Sequence, residues 1–217
     1  MQTTILNQKP SIFNQFLAEI RDKQIQKDSL RFRRNLERMG EVLAYEISKT
    51  LSSEEISVKT PLGIAKEIVP KNKLVVASIL RAGLPMHQGL LNYFDRAENA
   101  FVSAYRKYNE DGEFDIHIEY SSSPSLDGKT LILCDPMLAT GSSLELAYRA
   151  LLLKGTPEKT IFASLIASQA GVTYINNMTK TENVEFWVGA IDEELNAKSY
   201  IVPGLGDAGD LAFGTKL

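Results

Sequence analysis

The residues with the clearest chemical meaning lie between Thr130 and Ser143, in the stretch TLILCDPMLATGSS. The apolar run from Thr130 to Cys134 is typical of a buried strand, and Asp135 follows it directly. The turn at 140–143 opens a helix, and the free backbone N–H groups of a helix N-terminus favour a bound anion. The stretch lacks the Gly-Lys-Ser/Thr signature of nucleotide triphosphatases, so amides and hydroxyls would hold a phosphate here.

Asp135 needs a separate role, because a carboxylate beside a phosphate repels it. Ribose hydroxyls or a divalent cation are the partners that suit this carboxylate. A simple strand-to-helix turn needs only one glycine and one cap, whereas this stretch combines an acid, a threonine–glycine pair and further hydroxyls. We therefore predict a site for phosphate plus ribose at residues 135–143, which we call the phosphate loop.

Two other strand ends carry an arginine. In ILRAGL, residues 79–84, Arg81 and the amides around Gly83 could hold a diphosphate, since a guanidinium offers paired donors. An ion pair between Arg81 and a surface carboxylate is an equally good interpretation. Arg106 ends the predicted strand Ala100 to Tyr105 and falls either on the same sheet edge or at a solvated strand end.

A glycine-rich segment, PGLGDAGD, lies near the C-terminus at residues 203–210, and we call it the base loop. Its glycines let the backbone approach a flat ligand closely. Main-chain N–H and C=O groups complement the alternating donors and acceptors of a pyrimidine such as uracil. On its own, the segment is better interpreted as an irregular loop in which aspartates cap turns.

The elements that position these loops alternate along the chain. Helical spacing of apolar residues predicts two opening helices within 11–51, Ser11 to Lys27 and Asp28 to Leu51, with Asp28 or Ser29 as the N-cap of the second. Later patterns predict a β-hairpin and then alternating strands and helices: hairpin 56–69, strand 73–80, helix from Pro85 to Tyr93, strand 100–105, strand 130–134, helix to Leu153, strand 160–167, helix to Met178 and strand 184–191. This order predicts a mostly parallel sheet with helices on both faces. The polar stretch 107–129 predicts a mobile hairpin.

Length and composition restrict the class of protein. The 217 residues suit one domain covering 1–217, and 24 basic against 27 acidic residues leave no electrostatic footprint for nucleic acid. No apolar run approaches the roughly 20 residues of a membrane span, and the first residues do not resemble a signal peptide, so we expect a cytoplasmic protein. The lone Cys134 is interpreted as a buried hydrophobe.

The two histidines and a basic run near the start of the chain are weaker candidates for functional residues. His87 and His117 are too scattered for a metal cluster or a catalytic triad, and both are interpreted as structural or solvated. The basic run Arg31, Phe32, Arg33, Arg34 is most simply the polar face of a helix, with an interface or an effector site as the alternative.

Taken together, ILRAGL, Tyr105–Arg106, DPMLATGSS and YIVPGLGDAGDLAFGT resemble the uracil phosphoribosyltransferase family, in order and with about the family's spacing. The opening KDSLRFRRNLERMGEVLAYE is similar to the family's N-terminal helix. The resemblance implies an α/β fold of the type I phosphoribosyltransferases, a Rossmann-like, mostly parallel sheet flanked by helices, with a β-hairpin and a small hood formed by terminal segments. It also implies a pentosyltransferase that converts uracil and 5-phospho-α-D-ribose 1-diphosphate into UMP and diphosphate, a step of pyrimidine salvage.

The resemblance also assigns roles to residues. Asp135, Asp207 and Arg106 would be catalytic. The substrate-binding set would be Arg81, Arg106, Asp135, Pro136, Met137, Leu138, Ala139, Thr140, Gly141, Ser142, Ser143, Ile201, Gly206, Asp207 and Ala208. Mg²⁺ would be the cofactor, held by no direct side-chain ligand but reached by Asp207 through water. Ser142 stands where family members usually carry a second glycine.

The family implies a homodimer or a higher homo-oligomer, with GTP as an effector in some members, and no nucleic acid or membrane partner. Two alternatives keep the fold. One is a regulatory protein that senses nucleotide and binds RNA or a protein partner, since fold alone does not guarantee activity. The other is a transferase that acts on a different base, such as xanthine, hypoxanthine or orotate.

Overall fold

The computed structural model describes residues 1–71, 73–108, 114–180 and 183–215, without the side chains of 104–108 and 114–118. In chain order the elements are β1 (Gln2–Ile5), α1 (Ile12–Arg21), α2 (Ser29–Ser48), β2 (Ser53–Thr60), β3 (Gly63–Pro70), β4 (Leu74–Leu80), α3 (Leu84–Tyr93), β5 (Glu98–Tyr108), β6 (Phe114–Ser122), β7 (Thr130–Cys134), β8 (Met137–Leu138), α4 (Ser142–Leu152), β9 (Lys159–Ser168), α5 (Gln169–Met178), β10 (Val184–Asp192), β11 (Glu194–Leu195), β12 (Ile201–Val202) and α6 (Ala208–Phe213). Among the described helices, none is both long and apolar enough to cross a bilayer.

The main sheet has the strand order β1-β10-β9-β7-β4-β5-β6, and the short β8 also pairs with β9. Its strands are parallel except for β6, which pairs antiparallel with β5 at one edge. The central strand β7 is buried along its whole length, because helices cover both faces of the sheet. The predicted mostly parallel sheet is therefore confirmed.

Two hydrophobic clusters lie on the two faces of this sheet. Side chains of α1, α2, α3 and α6 pack into one cluster, and side chains of α4 and α5 pack into the other. In α2, the buried residues Leu36, Met39 and Leu43 follow helical spacing, so one stripe of the helix faces the sheet. Asp28 caps α2 as predicted, since its carboxylate accepts hydrogen bonds from the backbone N–H groups of Leu30 and Arg31, each 3.1 Å long.

The first predicted helix is shorter than expected and ends at Arg21. The Asp22 carboxylate accepts hydrogen bonds from the backbone N–H groups of Gln24 and Ile25, at 2.7 and 3.0 Å, which forms a turn in place of continued helix. The amide of Gln26 then donates to the carbonyl of Arg21 at 3.2 Å and satisfies one of the free groups at the helix end.

Both predicted hairpins exist, in different settings. Strands β2 and β3 form a separate two-stranded antiparallel sheet. Strand β6 pairs along β5 and so belongs to the main sheet, whereas the sequence had suggested a hairpin that starts only at residue 107. The residues that connect β5 and β6, 109–113, lie outside the described part, and the mobility of the hairpin stays a prediction.

Strand β1, helix α6 and the two-residue strands β8, β11 and β12 were not predicted. Strand β1 pairs parallel with β10, with Gln2 opposite Glu185. The base loop runs into the short helix α6, which packs near α2, where Arg33 donates to the carbonyl of Ala212 at 2.6 Å. Residues near the two ends of the chain thus meet over one end of the sheet, as the expected hood requires.

Candidate active site

A cleft opens at the carboxyl ends of β4 and β7, between the phosphate loop, the ILRAGL turn and the base loop. Ligands of parallel sheets bind at this edge. The cleft is lined by Ile79, Leu80, Arg81, Ala82, Asp135, Met137, Leu138, Ala139, Thr140, Gly141, Ser143, Leu144, Ser199, Tyr200, Ile201, Gly206, Asp207, Ala208 and Gly209. Of the predicted site residues whose side chains are described, Pro136 and Ser142 are not among these lining residues, although both lie within the phosphate loop.

The phosphate loop ends in the tight turn that the sequence suggested. Gly141 adopts φ 91°, and α4 begins at the next residue, Ser142. Because the left-handed conformation falls on Gly141, the serine at 142 carries no such strain. The hydroxyls of Thr140 and Ser142 lie 3.1 Å apart and hydrogen-bond to each other across the turn.

Neighbouring elements hold the phosphate loop from below. The carbonyl of Pro136 accepts hydrogen bonds from the N–H groups of Leu165 and Ile166, at 3.1 and 3.0 Å. The Ser168 hydroxyl donates to the carbonyl of Ala139 and accepts from the N–H of Gly171, so it joins the loop to the first turn of α5. Pro136 and Ser168 therefore position the loop without facing the cleft.

Asp135 leaves the end of β7 and lies partly exposed on the cleft floor, with Met137 N–H donating to its carboxylate at 3.2 Å. Burial among protein atoms raises the pKa of Asp135 from 3.8 to about 7, and the charge of nearby Asp207 adds to the rise. Ionisation of Asp135 is therefore unfavourable in the free cleft. Hydroxyl groups that donate to its carboxylate, or a cation beside it, would favour the ionised form.

The Arg81 guanidinium satisfies both interpretations from the sequence. It lines the cleft, and it also donates to the Asp210 carboxylate at 3.3 Å and to the carbonyl of Gly214 at 3.1 Å. Its Nε is buried and has no hydrogen-bond partner among the described residues, so one donor is unsatisfied in the absence of a ligand. The side chain of Arg106 lies outside the described part of the chain, and its role stays a prediction.

The base loop contributes Gly206, Asp207 and Ala208 to the cleft. Asp207 also caps α6, because its carboxylate accepts from the N–H of Asp210 at 2.9 Å. Asp207 therefore caps a turn, as expected for an ordinary loop, and also lines the cleft. Ile201 is buried at the cleft wall.

Sequence reasoning missed Ser199 and Tyr200, which also line the cleft. Ser199 adopts φ 59°, and the Asn196 side chain accepts hydrogen bonds from the N–H groups of Lys198 and Tyr200, at 2.9 and 3.0 Å. The signal in the sequence was the Asn-Ala-Lys-Ser turn just before YIVPG, whose asparagine favours such a turn.

The remaining candidates have structural roles. His87 is buried, with a ring nitrogen 3.2 Å from the carbonyl of Val76, while the side chain of His117 is outside the described residues. Burial raises the pKa of the Cys134 thiol, which disfavours a nucleophilic thiolate. Arg31 and Arg34 pair with nearby carboxylates on or beside α2, which agrees with the polar helix face that we predicted.

A family model described as uracil phosphoribosyltransferase matches residues 7–215. The chain belongs to the uracil phosphoribosyltransferase family. A protein named uracil phosphoribosyltransferase from Porphyromonas gingivalis is 58% identical over 217 residues, which cover 100% of both chains. One of the same name from Pyrococcus furiosus is 40% identical over 203 residues, covering 92% of this chain and 85% of the relative.

Solved structures show the same fold. A protein of Aquifex aeolicus superposes with a TM-score of 0.84 at 34% identity, over 99% of this chain and 100% of that chain. A hypoxanthine phosphoribosyltransferase from Staphylococcus aureus has a TM-score of 0.50 at 14% identity, over 74% of each chain, and shows a shared fold only. The chain thus has the fold of type I phosphoribosyltransferases, and its family is one of pentosyltransferases.

Proposed function

We propose that this uracil phosphoribosyltransferase family member converts uracil and 5-phospho-α-D-ribose 1-diphosphate into UMP and diphosphate, as a step of pyrimidine salvage. One observation carries the proposal: the phosphate loop, the ILRAGL turn and the base loop, which are far apart in the sequence, line a single cleft. Each of the three has the chemistry that one part of the two substrates requires.

In this proposal the substrate lies across the cleft. The 5′-phosphate binds the amides and hydroxyls of 140–143 at the start of α4, where the helix dipole favours an anion. Asp135 accepts hydrogen bonds from the ribose hydroxyls, and Arg81 and Arg106 bind the diphosphate through paired donors. Ile201 and the backbone of 206–208 bind uracil, so the two substrates meet at C1 of the ribose.

The residues of the cleft fit a magnesium ion. Asp135 and Asp207 are close enough for the charge of one to raise the pKa of the other. No group of three or more acidic, histidine or cysteine side chains among the described residues forms a complete metal site, so substrate oxygens and water would supply the other ligands. Bound Mg²⁺ would neutralise the departing diphosphate, and Asp207 would reach it through water.

Catalysis on this site depends on positioning and charge rather than on a strong base. The bond from C1 to the diphosphate breaks as uracil N1 approaches, so positive charge develops on the ribose ring. The phosphate loop anchors the sugar through its remote phosphate, while Arg81 and Arg106 stabilise the negative charge of the leaving group. The buried His87 has no part in these steps.

Competition between bases tests the proposal. Wild-type enzyme, phosphoribosyl diphosphate and Mg²⁺ are incubated with labelled uracil in the presence of excess xanthine, hypoxanthine or orotate. We expect labelled UMP in every mixture, because main-chain groups arranged for uracil leave their hydrogen bonds unmade with the other bases. If another base abolished UMP formation and was itself converted into a nucleotide, that base would be the substrate. If no base gave any product, the nucleotide-sensing alternative would be favoured.

The same proposal includes an assembled enzyme in the cytoplasm. A homodimer or higher homo-oligomer is supported by the apolar side chains that β2 and β3 expose, among them Ile64, 77% exposed, and Ile68, 74% exposed. A GTP response and the single-domain organisation of 1–217 stay predictions from the resemblance and from the chain length.

A further inference from the structure

An ion pair outside the cleft connects to the first residues of the base loop. Arg21, the last residue of α1, donates from both terminal nitrogens to Asp192, the last residue of β10, at 2.8 Å for each bond. Side-chain exposure is 22% for Arg21 and 8% for Asp192, so solvent screens this pair less than a surface pair. Neither residue is among those that line the cleft.

Both backbone groups of Gly204 take part in this pair. The N–H of Gly204 donates to Asp192 Oδ2 at 2.9 Å, and its carbonyl accepts from Arg21 Nη1 at 3.0 Å. The same two side-chain atoms, Nη1 and Oδ2, also bond to each other at 2.8 Å. Four groups therefore close a ring of hydrogen bonds around one residue, which we call the Gly204 clamp.

The conformation of Gly204 explains why a clamp is needed there. Gly204 adopts φ 52°, and a Cβ atom at this position would lie 2.2 Å from the carbonyl oxygen of Ile201. The chain thus turns sharply between Ile201 and Gly206, which both line the cleft. Glycine adopts this conformation easily but also leaves it easily, because no side chain restricts it. Hydrogen bonds to both of its backbone groups supply the missing restriction.

The clamp fixes one end of the segment that faces the cleft, and α6 fixes the other. After Gly204, Leu205 is buried in the core, and Gly206 is the next residue to line the cleft. At the far end, Asp207 caps α6 through its bond to the N–H of Asp210. The backbone that would read the base is therefore held between two fixed points only a few residues apart.

A role in stability alone accounts for the pair less well. An ion pair that joins α1 to β10 needs no contact with a third segment, and a half-buried pair contributes little net stability once desolvation is counted. Here the carboxylate and the guanidinium bond to each other and also to both backbone groups of Gly204, near the start of the base loop. The geometry points to positioning of that loop.

We propose that Arg21 and Asp192 are positioning residues that set the affinity and selectivity for the base by holding Gly204 and, through it, the backbone of 206–208. This inference rests on the proposed function, in which the base loop binds uracil. It predicts that loss of the clamp weakens uracil binding while the distant phosphate loop, and with it the binding of phosphoribosyl diphosphate, stays intact.

Steady-state kinetics with both substrates varied test the consequence for binding. Arg21→Lys retains the charge but not the paired donors, and we expect the KM for uracil to rise at least about tenfold, since small misplacements of a binding group are costly. The KM for phosphoribosyl diphosphate should stay within about twofold of wild type, because the residues proposed to contact it directly lie on other elements and Asp207 would reach its Mg²⁺ only through water. The matched control is Lys49→Met, which breaks the exposed pair with Glu46 at the end of α2 and should change neither value.

A second variant covers the case in which an uncompensated buried charge unfolds the protein. Arg21→Met/Asp192→Asn removes both charges and keeps a carbonyl that can accept from the N–H of Gly204. We expect this variant to fold, as shown by an unfolding temperature near that of wild type, and still to have the raised KM for uracil. An unchanged KM for uracil in a folded variant, or an equal rise in both KM values, would overturn the proposal.

Hydrogen exchange measures the clamp without any substrate and so separates its failure from failure of the proposed function. The amides of 204–207 should exchange about tenfold faster in Arg21→Lys than in wild type, while amides of α4 are unchanged. Equal exchange at 204–207 would show that the pair does not hold the loop, whatever the enzyme does with uracil. A wild-type protein that makes no UMP would contradict the proposed function, and the exchange result would still decide the clamp.

Discussion

Among single residues, Asp135 has the most altered chemistry in the cleft. Burial and the nearby charge of Asp207 raise its pKa from 3.8 to about 7, so roughly half of the free protein carries a protonated Asp135 at pH 7. Ribose hydroxyls that donate to the carboxylate, and a cation beside it, both favour the ionised form. Substrate binding should therefore release a proton.

We predict a release of up to about half a proton from Asp135 when phosphoribosyl diphosphate and Mg²⁺ bind at pH 7. Calorimetric titrations in two buffers of different ionisation enthalpy measure this release, and Asp135→Asn provides the correction for protons lost by the substrate itself. The variant should also bind about tenfold more weakly, because a hydrogen bond to a charged group is lost. Equal proton release and equal affinity in wild type and variant would contradict the ribose assignment.

The raised pKa of Asp135 also makes the free energy of unfolding depend on pH. The folded protein holds the Asp135 proton more tightly than the unfolded chain, so the favourable contribution is complete below pH 3.8 and is lost as the pH rises through about 7. Asp135→Asn should accordingly stabilise the free protein at pH 8 relative to wild type, on the order of 1 kcal/mol after solvent screening of a partly exposed carboxyl.

Gly141 shows how a single φ angle supports the phosphate loop. In Gly141→Ala, a Cβ atom would be strained at φ 91° and would meet Tyr174 Cδ1 at 2.7 Å. We expect a loss of about 1–3 kcal/mol in the free energy of unfolding together with a higher KM for phosphoribosyl diphosphate. Chemical denaturation and steady-state kinetics measure the two effects.

Gly63→Ala is the matched control for this glycine. Gly63 begins β3, has no positive φ, and a Cβ atom there would have nothing within 4 Å. The control should leave both stability and kinetics close to wild type. If Gly141→Ala behaved like Gly63→Ala, the turn would be less constrained than its geometry indicates.

The phosphate loop could be predicted from the sequence, whereas the Gly204 clamp could not. Asp135 and Gly141 stand in a continuous stretch, so the turn at Gly141 and the place of both residues in one cleft could be predicted from local order alone. The partners of Arg21 could not, because Asp192 lies 171 positions away in the sequence and becomes a neighbour only through the packing of α1 beside the end of β10. A charged residue at a helix end is otherwise typical of an exposed surface.

At the level of elements, α5 supports the phosphate loop through its first turn. The Ser168 hydroxyl bonds both to the carbonyl of Ala139 and to the N–H of Gly171, at 2.9 Å for the latter. A Cβ atom on Gly171 would lie 2.5 Å from the carbonyl oxygen of Ala139, so the helix and the loop are in close contact.

We predict that Ser168→Ala lowers the free energy of unfolding by about 1–2 kcal/mol, since it removes a helix cap and leaves the partly buried carbonyl of Ala139 with one bond fewer. The KM for phosphoribosyl diphosphate should rise while the KM for uracil changes less, because the phosphate loop is the one cleft loop among the described residues to which the Ser168 hydroxyl bonds. Ser48→Ala is the control, since the Ser48 hydroxyl donates at 2.7 Å to the carbonyl of Tyr45 at an exposed helix end. A uniform rise in both KM values would show that α5 acts on the whole cleft.

The strands and helices of the sheet were predictable because their apolar patterns are strong. Strand β7 coincides with the predicted run Thr130–Cys134, where every residue is buried. Strand β1 was missed because Gln2–Ile5 is short and mostly polar, and its one pairing among the described strands is with β10. Helix α6 was missed because its glycine and two flanking aspartates are typical of a loop, and tertiary contacts with α2 decide its conformation.

At the scale of the whole molecule, the sheet brings distant segments to one edge. Parallel strands β4 and β7 end on the same side, so the loops that follow them meet although they are far apart in the sequence. The terminal segments close this edge through α2, α6 and the base loop. Sequence order could predict which loops share the edge, but the distances between their side chains depend on packing that no local pattern specifies.

UMP formation by wild type and by Asp207→Asn is the measurement that tests the central claim most directly. The claim is that the cleft at this sheet edge transfers a phosphoribosyl group to uracil. Asparagine can still cap α6 but removes the negative charge from the cleft, so the variant should fold like wild type and form UMP at least about tenfold more slowly in the presence of Mg²⁺. Wild-type activity that Asp207→Asn retains in full would place the reaction outside this cleft and contradict the account.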